Sequence, residues 1–478
     1  MKRLLLLMSL FISTHLAVNA QDLISISYLQ SKTQAQLIAE FNNPLFQNGV
    51  DLYKMTYTTP DVNGLLDTAS GLFVMPQVSD RDLSFLCYQH GTVGSKQDVP
   101  SNLAGGYELA VVYGGMGFLT VAPDYLGLGE ARGFHPYLHA ATEASAAIDM
   151  LYAAKQYADS EAIGQTGLLF VTGYSQGGHA AMALHRELQW NFTADWPVTA
   201  AAPMSGPYSL GEVIVDFGLS DTEYFYPSYL PFIVLGLNEA YDLYEDFAEI
   251  FQPIYLPHII DYYEAEIDLG TLNQTLIELL QQEVGYSYPR FLLQDSVLQG
   301  IITNPDHPLN AALRDNNVYD WIPEVPTRLY YCTADDQVDY RNSVFADSVM
   351  NANGAADVMA IDVNPTANHF DCVEPAVLQA IFFFRQQEIL QDVGQEPTSS
   401  KHLVKVYPNP ATDRVQFEWP KGYAVLSVFD QDGRVVFQKQ ATGDKQATLN
   451  ISTWAAGTYY WVLMSEAGTD GGKVVKRD

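Results

Sequence analysis

Basic residues are scarce in this chain. Twenty-four Lys and Arg stand against 56 Asp and Glu over 478 residues, a net charge of −32. The shortage is local. Residues 401–478 hold 10 bases and 8 acids, so with Lys2 and Arg3 set aside, 12 bases face 48 acids over residues 21–400. Such a surface favours solubility and repels nucleic acid and anionic membranes, so no nucleic-acid partner is expected. Cysteine is scarcer still. Cys87, Cys332 and Cys372 form neither a disulfide framework nor a metal-ligand spacing. No metal and no cofactor is expected, although an exported chain can close one bridge. Long hydrophobic runs are missing too. The stretch 4–12 is too short to span a bilayer. With Lys2 and Arg3 before it and Val18-Asn19-Ala20 after it, it reads as the centre of a secretory signal over 1–20. Gln21 is then the mature start.

Apolar residues are plentiful, 48% of the chain, enough for a large core. Strand-like apolar runs at 83–88, 118–122, 168–171, 198–202, 328–332 and 358–363 alternate with helical patterns. That alternation argues for a mostly parallel sheet flanked by helices. Segments near 53–58 and 71–75 can add antiparallel strands. Ala144, Ala147, Ile148, Leu151 and Tyr152 follow helical spacing, and 376–389 reads as a last buried helix. Residues 207–312, rich in Tyr, Phe and acids, break the rhythm and read as a helical cap inserted between two strands. Residues 391–403, "QDVGQEPTSSKHL", are polar and aperiodic, a linker. Beyond it, 404–478 turns to short β-type runs such as "RVQFEW" and "GTYYWVLM", with Asp432-Gly433 as a hairpin turn. The expected fold is an α/β unit over 21–390 carrying a cap, followed by a small all-β sandwich.

The stretch "VTGYSQGGHA", residues 171–180, sets Ser175 between Gly173 and Gly177. Strand-like "LLFVT" precedes it and helical "HAAMALHREL" follows. G-x-S-x-G in that context is a nucleophile elbow, a turn so tight that glycines must flank the serine. A serine hydroxyl is a weak nucleophile and needs a base oriented by a carboxylate. In this architecture the chain order is Ser, acid, His. "RLYYCTADDQVDY" carries a buried strand into acids. Asp335 is the preferred candidate, Asp336 the runner-up and Asp339 the third. "VNPTANHFDCVEP" then supplies His369 at a strand end, the candidate base. Oxyanion donors should come from the backbone of Gln176, directly after the serine, and from "LCYQHGTVG". In that loop Thr92 is preferred and Gly91 is the alternative. His90 reads as loop-shaping, and His179, in the elbow helix, as structural.

Together, "GYSQGG", "YQHGT" and "PDYLGLGEARGFHPY" resemble the α/β-hydrolase superfamily, and more closely its secretory lipase-like members. The resemblance covers about residues 50–390. It implies an α/β-hydrolase sheet with a cap, and a carboxyl-ester hydrolase using Ser175, Asp335 and His369 on a small-molecule ester or lipid. Asp124, in "PDYLGLG", would be structural. The cap matches the family poorly, so the substrate does not carry over. "VYPNPATDRVQF", "FDQDGRVV", "AAGTYYWVL" and "KVVKR" resemble the C-terminal sorting domain of type IX secretion in Bacteroidetes-type bacteria. That resemblance implies transit of the periplasm, then the outer membrane, by the type IX machinery, with the module usually removed. The protein would be released or surface-attached. A carbohydrate- or adhesion-type sandwich is the competing reading of the module.

A serine peptidase of the same fold would normally bring a propeller-length N-terminal domain, and none precedes the sheet pattern. A catalytically silent hydrolase fold used for binding is the third reading, and the presence of all three triad candidates argues against it. A Cys332–Cys372 bridge would pin the acid and base loops together; three free thiols are the alternative. The cap, over 205–310, holds 17 acids and a single base, Arg290. Tyr244, Phe247 and Phe251 would share one helical face. That face would wall an apolar acyl pocket with a negative rim, or merely pack the cap.

Overall fold

A computed structural model describes residues 21–78, 81–392, 404–420, 422–430, 434–465 and 468–477. The signal segment, nearly all of the linker and Asp432-Gly433 lie outside the described residues. Nine strands form the main sheet: β1 (Leu23–Lys32), β2 (Val50–Pro60), β3 (Leu66–Pro76), β4 (Leu83–Gln89), β5 (Leu119–Pro123), β6 (Gln165–Tyr174), β7 (Val198–Met204), β8 (Thr327–Tyr331) and β9 (Val358–Asp362). Their spatial order is β1-β2-β3-β5-β4-β6-β7-β8-β9. The first three are antiparallel to their neighbours, and the rest are parallel. The chemistry of the strands follows their place. β4, "LSFLCYQ", is buried throughout because helices cover both faces. β2 alternates between buried and half-buried positions, as a strand with one wet face does. β1, "LISISYLQSK", is an edge strand that alternates apolar and polar residues, exposed or half-buried throughout, with no continuous apolar run. Its neighbour α1 (Gln34–Phe41) does carry a signal, a capping box between Thr33 and Gln36.

Helices α2 (Tyr107–Gly115), α3 (Ala140–Ser160) and α4 (Gln176–Asn191) follow β4, β5 and β6. α2 packs on one face of the sheet, while α3 and α4 pack on the other. Leaving β4 and β6, the chain therefore turns to opposite faces. The crevice between their carboxyl ends is the topological switch point where α/β sheets bind ligands.

Between β7 and β8 the chain builds the cap from α5 (Val215–Leu219), α6 (Tyr229–Tyr241), α7 (Leu256–Tyr263), α8 (Leu269–Val284), α9 (Asp295–Thr303) and α10 (Pro308–Asp315). The cap has its own core, with Leu235, Ile250, Phe251, Leu272, Leu276 and Leu280 fully buried. No helix carries Tyr244, Phe247 and Phe251 together. Asp242 ends α6 in the left-handed conformation, and Asp246 caps a single 3-10 turn at Phe247–Glu249. All three rings pack the cap's interior, so the expected aromatic face over the serine is corrected.

After β8, α11 (Arg341–Ala352), β9 and α12 (Val373–Asp392) complete the α/β unit. The C-terminal strands are β10 (Lys405–Tyr407), β11 (Arg414–Glu418), β12 (Tyr423–Phe429), β13 (Val435–Thr442), β14 (Gln446–Asn450), β15 (Gly457–Ser465) and β16 (Gly468–Lys476). They form two antiparallel sheets, β10-β11-β14 and β13-β12-β15-β16. Ala424, Leu426 and Val428 of β12 face the sandwich core. By the two-residue alternation of a strand, Val425 and Phe429 point the other way. They join Val462 and Met464 of β15 against the α/β unit, including α12.

His185 of α4 is fully buried with neither ring nitrogen hydrogen-bonded, edge-on to Trp321. Burial pushes its pKa down to about 3. Above pH 6.5 both folded and unfolded chains hold it neutral. Below that, the unfolded chain takes a proton that the fold refuses, and stability falls. The loss is about 1.4 kcal/mol per pH unit until the folded value is reached. His185→Leu should therefore lose about 2 kcal/mol less than the wild type between pH 7 and pH 5. Urea midpoints at both pH values test this; equal losses in the two proteins would refute it.

Candidate active site

The turn after β6 crosses the end of β4 at close range. A Cβ at Gly177 would sit 2.0 Å from the Gln89 carbonyl oxygen, and one at Gly173 would sit 2.1 Å from the Gly177 oxygen. Only glycine permits that crossing. Between them Ser175 adopts φ 62°, ψ −124°, a conformation costly for a residue with a Cβ. Its N–H donates to the Met204 oxygen at 3.0 Å, which ties the turn to β7. α4 begins at the next residue, so its positive end lies beneath the serine.

The three candidate acids after β8 take three different positions. Asp335 Oδ2 lies 2.7 Å from His369 Nδ1, with both side chains almost wholly buried. Its Oδ1 accepts the N–H groups of Gln337 and Val338 at 2.9 Å each, which fixes the carboxylate to its own loop. Asp336 does not reach the ring and instead accepts the His369 backbone N–H at 3.1 Å. Asp339 turns away to the N–H and guanidinium of Arg341. From the other side, the buried Tyr174 hydroxyl donates to the His369 carbonyl at 2.6 Å. Its ring packs on the imidazole at 4.9 Å. The histidine is thus held at both ends of its backbone as well as by its ring. Tyr174 had no signal in the sequence beyond standing next to Ser175. No hydrogen bond joins Ser175 Oγ to His369 Nε2 among the described residues. Cys332 and Cys372 are bridged, tying the start of the acid loop to a residue three beyond His369. Cys87 is free and buried.

The loop after β4 runs against Ser175. A Cβ at Gly91 would lie 3.2 Å from the Tyr174 oxygen and 3.6 Å from Ser175 Cβ. Next to it, Thr92 Oγ1 meets the Tyr137 hydroxyl at 2.6 Å. The His90 ring is buried within this loop, 2.7 Å from the Gly91 oxygen and 3.2 Å from the Asp124 oxygen. Asp124 itself accepts Ser70 Oγ at 2.5 Å and the Ser101 N–H at 3.0 Å, a buried brace behind the loop. His179 pairs with Glu143 inside α3 and α4 rather than facing the serine.

A cavity opens from Ser175 and Gln176 into the cap. Leu230, Ile233, Val234, Ile301 and Leu309 wall it, and no charged side chain lines it. Its aromatic walls include Tyr224 and Tyr229, whose hydroxyls donate to the Gln337 backbone and side-chain oxygens at 2.8 Å.

Residues 100–376 match the family model of the secretory lipases. The chain belongs to the secretory lipase family. It is a carboxyl-ester hydrolase of the α/β-hydrolase fold. Residues 405–477 match the secretion system C-terminal sorting domain, so this lipase-family enzyme is exported, for secretion or surface attachment. The secretory lipase family implies an ester or lipid substrate, and the sorting domain implies export by the type IX machinery. A comparison with curated proteins finds no match. Among solved structures, a Legionella pneumophila protein assigned as a hydrolase is 28% identical, with 79% of this chain and 100% of that one covered and a TM-score of 0.69. The rice cell wall degrading esterase LipA from Xanthomonas oryzae is 26% identical, with coverage of 78% and 99% and a TM-score of 0.66. Candida antarctica lipase A, 14% identical, covers 80% and 84% with a TM-score of 0.57, a likeness of fold alone.

The cystine closes a 40-residue separation around the loops that carry Asp335 and His369. Replacing both cysteines with alanine should cost about 2–4 kcal/mol of stability, mostly through the freed unfolded chain. A denaturant midpoint unchanged from the wild type, or alkylation of all three thiols in the native sequence, would contradict the bridge.

Proposed function

We propose that this secretory lipase hydrolyses neutral carboxylic esters through a Ser175–Asp335–His369 triad and an acyl-enzyme. The observation that carries the reading is the buried 2.7 Å contact of Asp335 with His369 Nδ1 beside a serine held on a strained elbow. Asp335 fixes the imidazole so that Nε2 faces the nucleophile, and Nε2 takes the Ser175 proton as Oγ attacks the ester carbonyl. A hydrogen bond between Ser175 Oγ and His369 Nε2 forms when substrate fills the site, as catalytic hydrogen bonds often do. The backbone N–H groups of Gln176 and Thr92, with Gly91 as the alternative, stabilise the oxyanion. His369 returns the proton to the departing alcohol. Water, activated by the same base, then releases the acid. The acyl chain occupies the uncharged cavity under the cap.

The proposed organisation is a signal peptide over 1–20 and a catalytic unit over 21–390 with its cap at about 207–312. A linker over 391–403 and a sorting domain over 404–478 follow. The signal takes the chain into the periplasm, and the sorting domain directs it onward.

Ser175→Ala should leave a folded protein with only residual hydrolysis, of the order of 10³–10⁴ over water. Asp335→Asn should cut kcat far more than Asp336→Asn, because the latter loses only a backbone contact. Near-wild-type rates for Ser175→Ala would remove the serine from the mechanism, and the reverse order of the two aspartates would move the acid by one residue.

A second test reads the cavity. With nitrophenyl esters, kcat/KM should rise about fourfold per added methylene until the cavity fills, since each buried CH₂ contributes about 0.8 kcal/mol. Carboxylate-bearing esters should be poor substrates, improved by salt that screens the acidic cap. A flat acyl profile, or a preference for anionic esters, would refute this use of the cavity.

A further inference from the structure

We propose that the Gln176 side chain is a positioning element for catalysis: pinned by His135 and Glu143 in a buried polar chain, it holds the backbone N–H next to the nucleophile in line for the oxyanion. The inference rests on the reading of Ser175 above and adds residues that neither the elbow motif nor the triad assigns.

Gln176 is the first residue of α4 and is 1% exposed. Its Nε2 lies 2.8 Å from His135 Nε2 and 3.1 Å from Glu143 Oε1. The direction of both bonds is determined by their far partners. His135 Nδ1 faces the Leu126 carbonyl at 2.7 Å. A carbonyl only accepts, so Nδ1 carries the proton and Nε2 offers a lone pair. Burial pushes the His135 pKa down to about 3, which keeps the ring neutral. Glu143 likewise offers an acceptor. The amide must therefore present its NH₂ to both groups, and a flipped amide would set oxygen against two acceptors. Its own Oε1 is left without a partner, so the side chain is oriented at the expense of one buried acceptor.

Glu143 is itself held. Its Oε2 lies 2.7 Å from His179 Nδ1, and His179 Nε2 lies 2.9 Å from the Asn316 carbonyl. That carbonyl again requires a proton on Nε2, so Nδ1 and the carboxylate share the remaining one. Asn316 is fastened in turn to Ala140 N–H and the Ala312 oxygen, both at 2.8 Å. Gln176, Glu143, His179, His135 and Asn316 are each at most 3% exposed. Apolar residues of similar volume commonly replace such a buried charged pair at no loss of stability. Stability therefore gives little reason to keep it beside the nucleophile, whereas a fixed donor geometry does.

The test is Gln176→Met in the full-length chain. Methionine fills similar space, keeps the backbone N–H and removes both side-chain bonds. Steady-state kinetics with a neutral nitrophenyl ester, affinity for a trifluoromethyl ketone that forms the tetrahedral adduct, and melting temperature are compared with the wild type. Removing an oxyanion donor outright costs about 10²–10³ in kcat; a misplaced one should cost at least about tenfold. KM should change less than about threefold, and ketone affinity should fall in step with kcat/KM. Glu143→Gln serves as the conservative control, since its amide can accept from Gln176 and donate to a neutral His179 Nδ1. It should keep kcat within about threefold of the wild type. A Gln176→Met enzyme with kcat and ketone affinity within twofold of the wild type would overturn the proposal, even if its melting temperature fell. A Glu143→Gln loss as deep as that of Gln176→Met would overturn it too. Should Gln176→Met fail to fold, Glu143→Leu carries the same comparison. Stoichiometric fluorophosphonate labelling of wild-type Ser175 tests the underlying triad separately; its absence would sink that reading, whatever the Gln176 kinetics.

Discussion

The backbone crossing between Gly173, Gly177 and the Gln89 carbonyl is the constraint on which the site depends. At 2.0 to 2.1 Å from any Cβ that might be placed there, the chain has room for hydrogen only. The crossing brings the end of β6 against the end of β4. That single approach sets Ser175 on its turn, starts α4 directly behind it, and lays the Gly91–Thr92 loop beside the hydroxyl. The switch of helices from one face of the sheet to the other leaves an open crevice at that point. Strain at Ser175 persists because hydrogen bonds to β7 and the packing of α4 over-determine the turn.

Around the crossing, each neighbouring group removes one freedom of a functional side chain. Asp335 orients the His369 ring, Asp336 and Tyr174 hold its backbone, and the Cys332–Cys372 bridge ties the two loops. On the opposite side, His135 and Glu143 do the same for Gln176. Groups set this way lose little freedom on reaching a transition state, which is the physical content of preorganisation.

Charge is partitioned sharply. The surface is acidic, while the cavity reached from Ser175 has no charged lining. The cap manages this by carrying its own apolar core, so its aromatic residues at 244, 247 and 251 serve its stability and the aliphatic faces of α6, α9 and α10 serve the cavity. A neutral acyl chain can enter such a space without desolvating a protein charge, whereas an anionic one meets the field of the cap first.

Local pattern was enough for the strands β4 to β8, because strands buried on both faces are continuous apolar runs, and for β9, a half-buried edge strand that still carries a short apolar run. It also located the tight turn at Gly173 and Gly177, where a close backbone crossing forces glycine into fixed positions. The edge strand β1 escaped notice because its alternating residues, Ile24 to Tyr28, stay exposed or half-buried and form no continuous apolar run. The cap's aromatic stripe was misjudged for a related reason. Helical spacing counts residues but does not see that Asp242 and Asp246 end one helix and cap a separate turn. What only the tertiary structure decided are contacts between segments far apart in the chain. Asp335 rather than Asp336 meets the His369 ring nitrogen, because loop hydrogen bonds to Gln337 and Val338 turn its carboxylate inward. The link from Gln176 to Glu143 spans 33 residues, and that from Tyr174 to His369 spans 195. A side chain's hydrogen-bond partner is set by where the packed backbones leave a donor facing an acceptor. No spacing along the chain records that distance.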